Sequence, residues 1–273
     1  MEHFDRESVI TLNNGVAMPR IGLGVWQAQD GEEVQRAIRF ALLDGYRLID
    51  TAKIYGNEKG VGRAIAEADA PRKTVFLTTK LWNDDQGYEP ALRAIDASLA
   101  RLATNYVDLY LVHWPSRDRT TREATWKAME EILASGKAKA IGVSNYSVDL
   151  LEEMHEYADV MPAVDQVEFH PFLFQRELLA YCTERGIALE AYSPLARGRK
   201  LDDARISAIS ASYGKSNAQV LIRWSLQHGC ICIPKSVRKE RIAENINVFD
   251  FELSQMDMDM LDGLDAGDSM LGF

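Results

Sequence analysis

The sequence predicts an α/β fold in which residues 1–273 form a single domain, a (β/α)8 barrel of the TIM type with an N-terminal β-hairpin closing its bottom. Three observations carry this prediction. Short apolar runs of strand length alternate with helical segments eight times along the chain. The runs are apolar on consecutive residues, as in strands buried on both faces, and a helix between each pair makes the strands parallel. Eight such units in roughly 250 residues is the size of a closed barrel.

The elements follow in order. VITLNNGVAMP (9–19) places Asn14 and Gly15 between two short strand runs, a hairpin signal that asks for positive φ at both turn residues; this hairpin is expected to plug the barrel bottom. IGLGVW (21–26) precedes the helical EEVQRAIRFALLDG (32–45), and RLIDTA (47–52) precedes a helix near 58–67, with GNE as the turn between them. VFLTTKLW (75–82) leads to YEPALRAIDASLARL (88–102), and VDLYLVHW (107–114) to REATWKAMEEILASG (122–136). AIGVSN (140–145) is followed by VDLLEEMHEYA (148–158), and VDQVEFH (164–170) by QRELLAYCTERG (175–186). ALEAYSPL (188–195) precedes helical segments near 202–212 and 216–228, and CICIPKS (230–236) precedes a short helix around 239–245. A last helix covers 254–264. An open dinucleotide-binding sheet is rejected because no G-x-G-x-x-G follows the first strand: GLG (22–24) runs into VWQ, and GVG (60–62) lies inside a helix.

Composition narrows the function classes. A net charge of -10, from 31 basic and 41 acidic residues, repels nucleic acid and anionic membranes over most of the surface. The exception is local, KSVRKER (235–241). No apolar run nears the roughly 18 residues that span a bilayer, and the start MEHFDRES is polar and acidic rather than a leader, so a cytoplasmic location is expected. Cys182, Cys230 and Cys232 are too few and oddly numbered for a disulfide framework, and no further Cys or His stands at metal-ligand spacing.

The most informative stretch is GYRLIDTAKIYGNEKGVG (45–62), which sets Asp50 at a strand end and Tyr55 in the following loop. Lys80 and His113 end the next two apolar runs. Taken singly, a strand-end Asp reads as a helix cap, a Lys as a solvated charge and a Tyr as a rim aromatic. Together they make a proton-transfer group at the carboxyl ends of barrel strands, where barrel enzymes carry their chemistry. A free phenol titrates near pH ~10, and a neighbouring ammonium lowers that value; Lys80 can do this while Asp50 keeps Lys80 charged. His113 could orient a substrate oxygen. With no Ser or Cys nucleophile beside them, the group suits protonation of a carbonyl oxygen during reduction by an external hydride.

Two further features belong to this reading. KSVRKERIAEN gathers four cations after the eighth strand and at a helix start, where barrels commonly bind phosphate. Trp26, Trp82 and Trp114 fall at strand ends on the same face and can wall an apolar pocket.

In these motifs, together with TTKLWN, LVHWP, IGVSNY and IPKSVRKERIAEN, the chain resembles the aldo-keto reductases from residue 9 to about 265. It is most similar to the bacterial and protozoan branch with 2,5-diketo-D-gluconate reductases and glyoxal and aldehyde reductases. The resemblance implies NADPH as cofactor, with Tyr55 as general acid, Lys80 and Asp50 tuning it and His113 orienting the carbonyl. It implies that Lys235, Ser236 and Arg241 hold the 2'-phosphate, Glu244 and Asn245 approach the adenine, and Ser144, Asn145 and Gln166 grip the carboxamide. Tyr192 is expected under the nicotinamide, with Ser193 and Leu195 along the pyrophosphate. Compared with longer relatives, the segment from Trp114 to Arg122 is short and nine residues follow the last helix, so an open substrate site is expected.

The expected partner is a small carbonyl substrate, with no nucleic acid, membrane or metal, and the chain is expected to be a monomer. Two other readings remain open at this point: a non-catalytic cofactor-binding subunit, and a Schiff-base aldolase using Lys80, which would need a depressed lysine pKa.

Overall fold

The computed structural model describes residues 5–271; residues 1–4 of the polar start and the last two of the tail lie outside the described residues. Strand β1 (Val9–Thr11) pairs antiparallel with β2 (Ala17–Pro19), Ile10 opposite Met18. The turn differs from the expected one. Only Gly15 has a positive φ, 85°, and its N–H donates to the carbonyl of Leu12, while the Leu12 N–H donates to Val16. This is a three-residue loop with the glycine alone in the left-handed region, so Asn14 needs no strained backbone. Asn13 and Asn14 use their side chains instead to reach the carbonyls of Pro162 and Lys139.

The barrel follows as β3 (Gly22–Gly24), α1 (Glu32–Leu43), β4 (Leu48–Asp50), α2 (Glu58–Ala66), β5 (Phe76–Leu81), α3 (Tyr88–Leu102), β6 (Val107–Val112), α4 (Arg119–Ala134), β7 (Ala138–Ser144) and α5 (Val148–Met154). It continues with β8 (Val164–Glu168), α6 (Arg176–Arg185), β9 (Ala188–Tyr192), α7 (Ala204–Tyr213), α8 (Asn217–Gln227), β10 (Ile231–Cys232), α9 (Lys239–Ile246) and α10 (Gln255–Asp262). Strands β3 to β10 pair in parallel in chain order. Parallel bridges from Ile21 to Cys232 and from Gly24 to Lys235 join the first strand to the last. β10 is short because Pro234 has no N–H to continue its ladder. Helix α4 starts three residues earlier than its periodicity suggests because the Asp118 side chain accepts from the Thr121 N–H and caps it.

Strand alternation sorts the core into two shells. In β6, Leu109 and Leu111 point into the barrel, while Val107, Tyr110 and Val112 pack under the helices. The inner shell joins Leu48, Phe76, Val164 and Ile231 with Leu12 and Met18 of the hairpin, which is how the hairpin plugs the bottom. Fully burying a side chain such as Met18 stabilises by about 1.5–3 kcal/mol. Gly142 is required on this surface, since a Cβ there would lie 2.5 Å from the Val164 carbonyl oxygen. Above the apolar layer the barrel turns polar: Asp50, Lys80, Gln166 and Glu190 are all buried near its carboxyl end. Among the described residues no helix is long and apolar enough to cross a membrane.

Candidate active site

Register brings the four predicted residues together. Strands β4, β5 and β6 are adjacent, so Asp50, Lys80 and His113 come from neighbouring staves, and a single 3-10 turn over Lys53–Tyr55 returns Tyr55 to them. The Lys80 ammonium, fully buried, donates to both Asp50 oxygens at 2.7 and 2.8 Å and to the Thr51 carbonyl at 2.9 Å. It lies 3.4 Å from the Tyr55 hydroxyl. The His113 ring meets Tyr55 edge-on with centroids 5.8 Å apart and Trp82 at 5.1 Å.

Electrostatics agree with the expectation for Lys80 and differ for Tyr55. Burial pulls the Lys80 ammonium down, but Asp50, joined by the Tyr55 phenolate wherever that group is ionised, outweighs it and the lysine ends above its ordinary value. Burial raises the Tyr55 phenol more than Lys80 lowers it, so its net shift is upward, where a lowered value had been expected. Tyr55 therefore holds its proton firmly. A phenol of this kind can still protonate an alkoxide, which is a far stronger base. His113 is pushed down to about 3, chiefly by burial and then by the Lys80 charge, and is a neutral imidazole at ordinary pH.

These groups open onto a cavity of about 610 Å³. Trp26, Trp82 and Trp114 all line it, half-buried, as do Tyr55 and His113. Its walls continue past Ser144, Asn145, Gln166, Tyr192, Ser193 and Leu195 to Lys235, Ser236 and Arg241. The Tyr192 hydroxyl donates to Asn145 Oδ1 at 2.8 Å, and Asn145 Nδ2 donates to the His113 carbonyl at 3.0 Å, tying three strand ends. Gln27, Asn145, Ser193 and Arg197 combine positive φ with a place on this wall, so strained backbone concentrates at the cavity. Glu244 and Asn245 are not on the lining: they lie on α9 beyond Arg241, Asn245 is buried and the Glu244 carbonyl accepts from Gln219.

The far end has the chemistry of an anion site. In a chain of net charge -10, Lys235, Arg238 and Arg241 line the cavity beside the N-terminus of α9, and their charged groups have no hydrogen-bond or ion-pair partner among the described residues. The mouth is less open than the short tail implies. Glu168 accepts from Ser269 Oγ at 2.7 Å and from the Met270 N–H at 2.8 Å, and Leu271 reaches the cavity wall. Arg197 lies 4.1 Å over the Trp26 ring and donates to the Met270 carbonyl.

Three residues escaped the sequence reading. Asn57, fully buried, donates to the carbonyls of Val25 and Ala28 and accepts from Thr51 Oγ1, clamping the Trp26 segment to the Tyr55 segment. Glu168 anchors the tail. Glu190 is fully buried beside Gln166 and is raised to about 8, by burial first and then by the Asp50 charge. The only signal for Glu190 was an acid inside an apolar strand, ALEAY.

Comparison with known proteins covers nearly the whole chain. The profile of the Aldo/keto reductase family matches residues 20–266. The chain is 50% identical over 258 residues to the glyoxal reductase of Bacillus subtilis (strain 168), covering 94% of this chain and 93% of that protein. It superposes with a TM-score of 0.91 on an aldo/keto reductase of Brucella melitensis, at 45% identity, covering 94% of this chain and 99% of the other. A variant of Gox0644 solved in complex with NADPH also superposes at a TM-score of 0.91, with 42% identity and 96% and 95% of the two chains covered.

Proposed function

The chain belongs to the aldo/keto reductase family, and from that premise we propose that it reduces small aldehydes and dicarbonyls to alcohols with NADPH, Tyr55 acting as the general acid. The observation that carries this reading is the 3.4 Å approach of Lys80 to the Tyr55 hydroxyl at the end of a cavity that runs from three tryptophans to unpaired cations.

The residues present fit the cofactor. Lys235, Ser236 and Arg241 would hold the 2'-phosphate by charge-assisted hydrogen bonds, Ser193 and Leu195 would border the pyrophosphate, and Ser144, Asn145 and Gln166 would meet the carboxamide above Tyr192. When bound, NADPH supplies the hydride for the carbonyl carbon. The chain's own part is the oxygen. His113, neutral, orients it by hydrogen bonding, and Tyr55 gives it a proton as negative charge develops there. Lys80, kept charged by Asp50, stabilises the phenolate left behind. Trp26, Trp82 and Trp114 exclude water and bind substrate by shape, which favours glyoxals and aromatic aldehydes over one charged sugar acid.

The aldolase alternative is disfavoured by the same geometry. A lysine nucleophile needs a free amine, and Lys80 is an ammonium engaged by Asp50 and Thr51. The proposal is tested by following NADPH oxidation with methylglyoxal, phenylglyoxal and a nitrobenzaldehyde: turnover of several supports it, and failure of all of them contradicts it.

A further inference from the structure

Glu190 is a carboxyl group with no ion-pair partner among the described residues and no part in the proton transfer described above. It stands on β9 directly opposite Gln166 of β8, fully buried. Its Oε2 accepts from Gln166 Nε2 at 2.7 Å, and the same Nε2 donates to Asp50 Oδ2 at 2.9 Å. Glu190 Oε1 has no partner among the described residues. Burying such a group is costly, whereas an apolar residue would suit a strand whose next inward neighbour across β10 is Ile231.

The chemistry of the contacts settles which way the Gln166 amide faces. One terminal atom touches both carboxyl groups, and Asp50 is ion-paired with Lys80, so that atom must be the donor. An amide nitrogen has two hydrogens. Asp50 takes one and Glu190 the other, which leaves Oε1 as the remaining hydrogen-bonding group of a side chain that lines the cavity. With Asp50 alone, the second N–H would be free to compete as a donor toward a bound ligand.

We infer that Glu190 is a positioning residue: by accepting the second N–H of Gln166 it makes Gln166 Oε1 an acceptor toward the nicotinamide, so that the site selects a ring carrying an N–H donor. This rests on the NADPH reading above. A carboxamide nitrogen satisfies the requirement; a ring whose carboxamide NH2 is replaced by a methyl group keeps its carbonyl but has nothing to donate.

The test is equilibrium binding, read by quenching of tryptophan fluorescence, of NADP⁺ and its 3-acetylpyridine analogue to the full chain. Wild type is expected to prefer NADP⁺ by roughly three- to tenfold, the worth of one hydrogen bond. In Glu190→Ala that preference should fall to less than about twofold, and Glu190→Gln, which keeps an acceptor oxygen for Gln166, should restore most of it. An unchanged preference in Glu190→Ala overturns the inference. So does a wild type that binds both ligands equally, a result that needs no folded variant. If wild type binds neither NADP⁺ nor NADPH, the cofactor reading fails and the role of Glu190 falls with it, an outcome distinct from equal binding of both.

Discussion

The Lys80 ammonium is held on one side by both oxygens of Asp50 and lies 3.4 Å from the Tyr55 hydroxyl on the other. Removing one partner of this buried pair leaves the other charge uncompensated. Lys80→Met is expected to destabilise the fold by about 3–5 kcal/mol, whereas Lys80→Met combined with Asp50→Asn should recover much of that stability. Neither variant should recover reduction, because both lack the charge beside Tyr55. Denaturant unfolding and NADPH oxidation on the same samples check this, and a double variant as active as wild type would remove Lys80 from the account.

Arg241→Ala should weaken NADPH far more than NADH, since only NADPH carries the phosphate that the unpaired guanidinium would meet. A charge-assisted hydrogen bond of roughly 1.5–3 kcal/mol corresponds to a ten- to hundredfold loss. Titration of both cofactors measures it, and equal weakening would show that the cations lining this end of the cavity serve another purpose.

Stability should bend with pH from two buried groups of opposite kind. His113 titrates at about 3 in the fold, below its ordinary 6.5, so the unfolded chain takes up a proton that the fold refuses. Stability is therefore lost as pH falls from about 6.5 toward 3. Glu190 is raised from 4.5 to about 8, so its contribution is full below pH 4.5 and is lost as pH rises toward 8. Thermal melts at pH 4, 6 and 9 should show Glu190→Gln gaining on wild type at pH 9, and His113→Asn falling less than wild type at pH 4. The reverse ordering at either pH would contradict the burial assigned to that residue.

Substrate breadth should respond to the tail. Glu168→Ala removes the acceptor for Ser269 and Met270, freeing Leu271 from the cavity wall. Turnover of small dicarbonyls should change little, while KM for bulky aromatic aldehydes falls several-fold. An unaltered KM across both classes would mean that the tail does not shape the pocket.

Much of this was legible in the sequence, for a physical reason. Asp50, Lys80 and His113 each terminate a consecutive apolar run, and parallel strands with crossover helices put all such ends on one face. Barrel closure then sets their distances. Glu190 could not be read that way, because its contact with Gln166 exists only once two strands 24 residues apart pair in register. The direction of the Tyr55 shift was misjudged because burial, which the sequence does not display, outweighs the visible cation. On α9 the cavity lining reaches Arg241, one turn before Glu244 and Asn245, and the loop at Asn14 takes its shape from a hydrogen bond between Gly15 and Leu12.

The central claim is that the Tyr55 phenol delivers the proton to the carbonyl oxygen. Tyr55→Phe removes that hydroxyl and little else, so the decisive measurement pairs NADPH binding with steady-state reduction of phenylglyoxal in this variant and in wild type. Binding should stay within about twofold while kcat falls by about 10²- to 10⁴-fold. A Tyr55→Phe protein that binds NADPH normally and keeps more than about a tenth of wild-type kcat, well outside the range of general acid catalysis, would contradict the account.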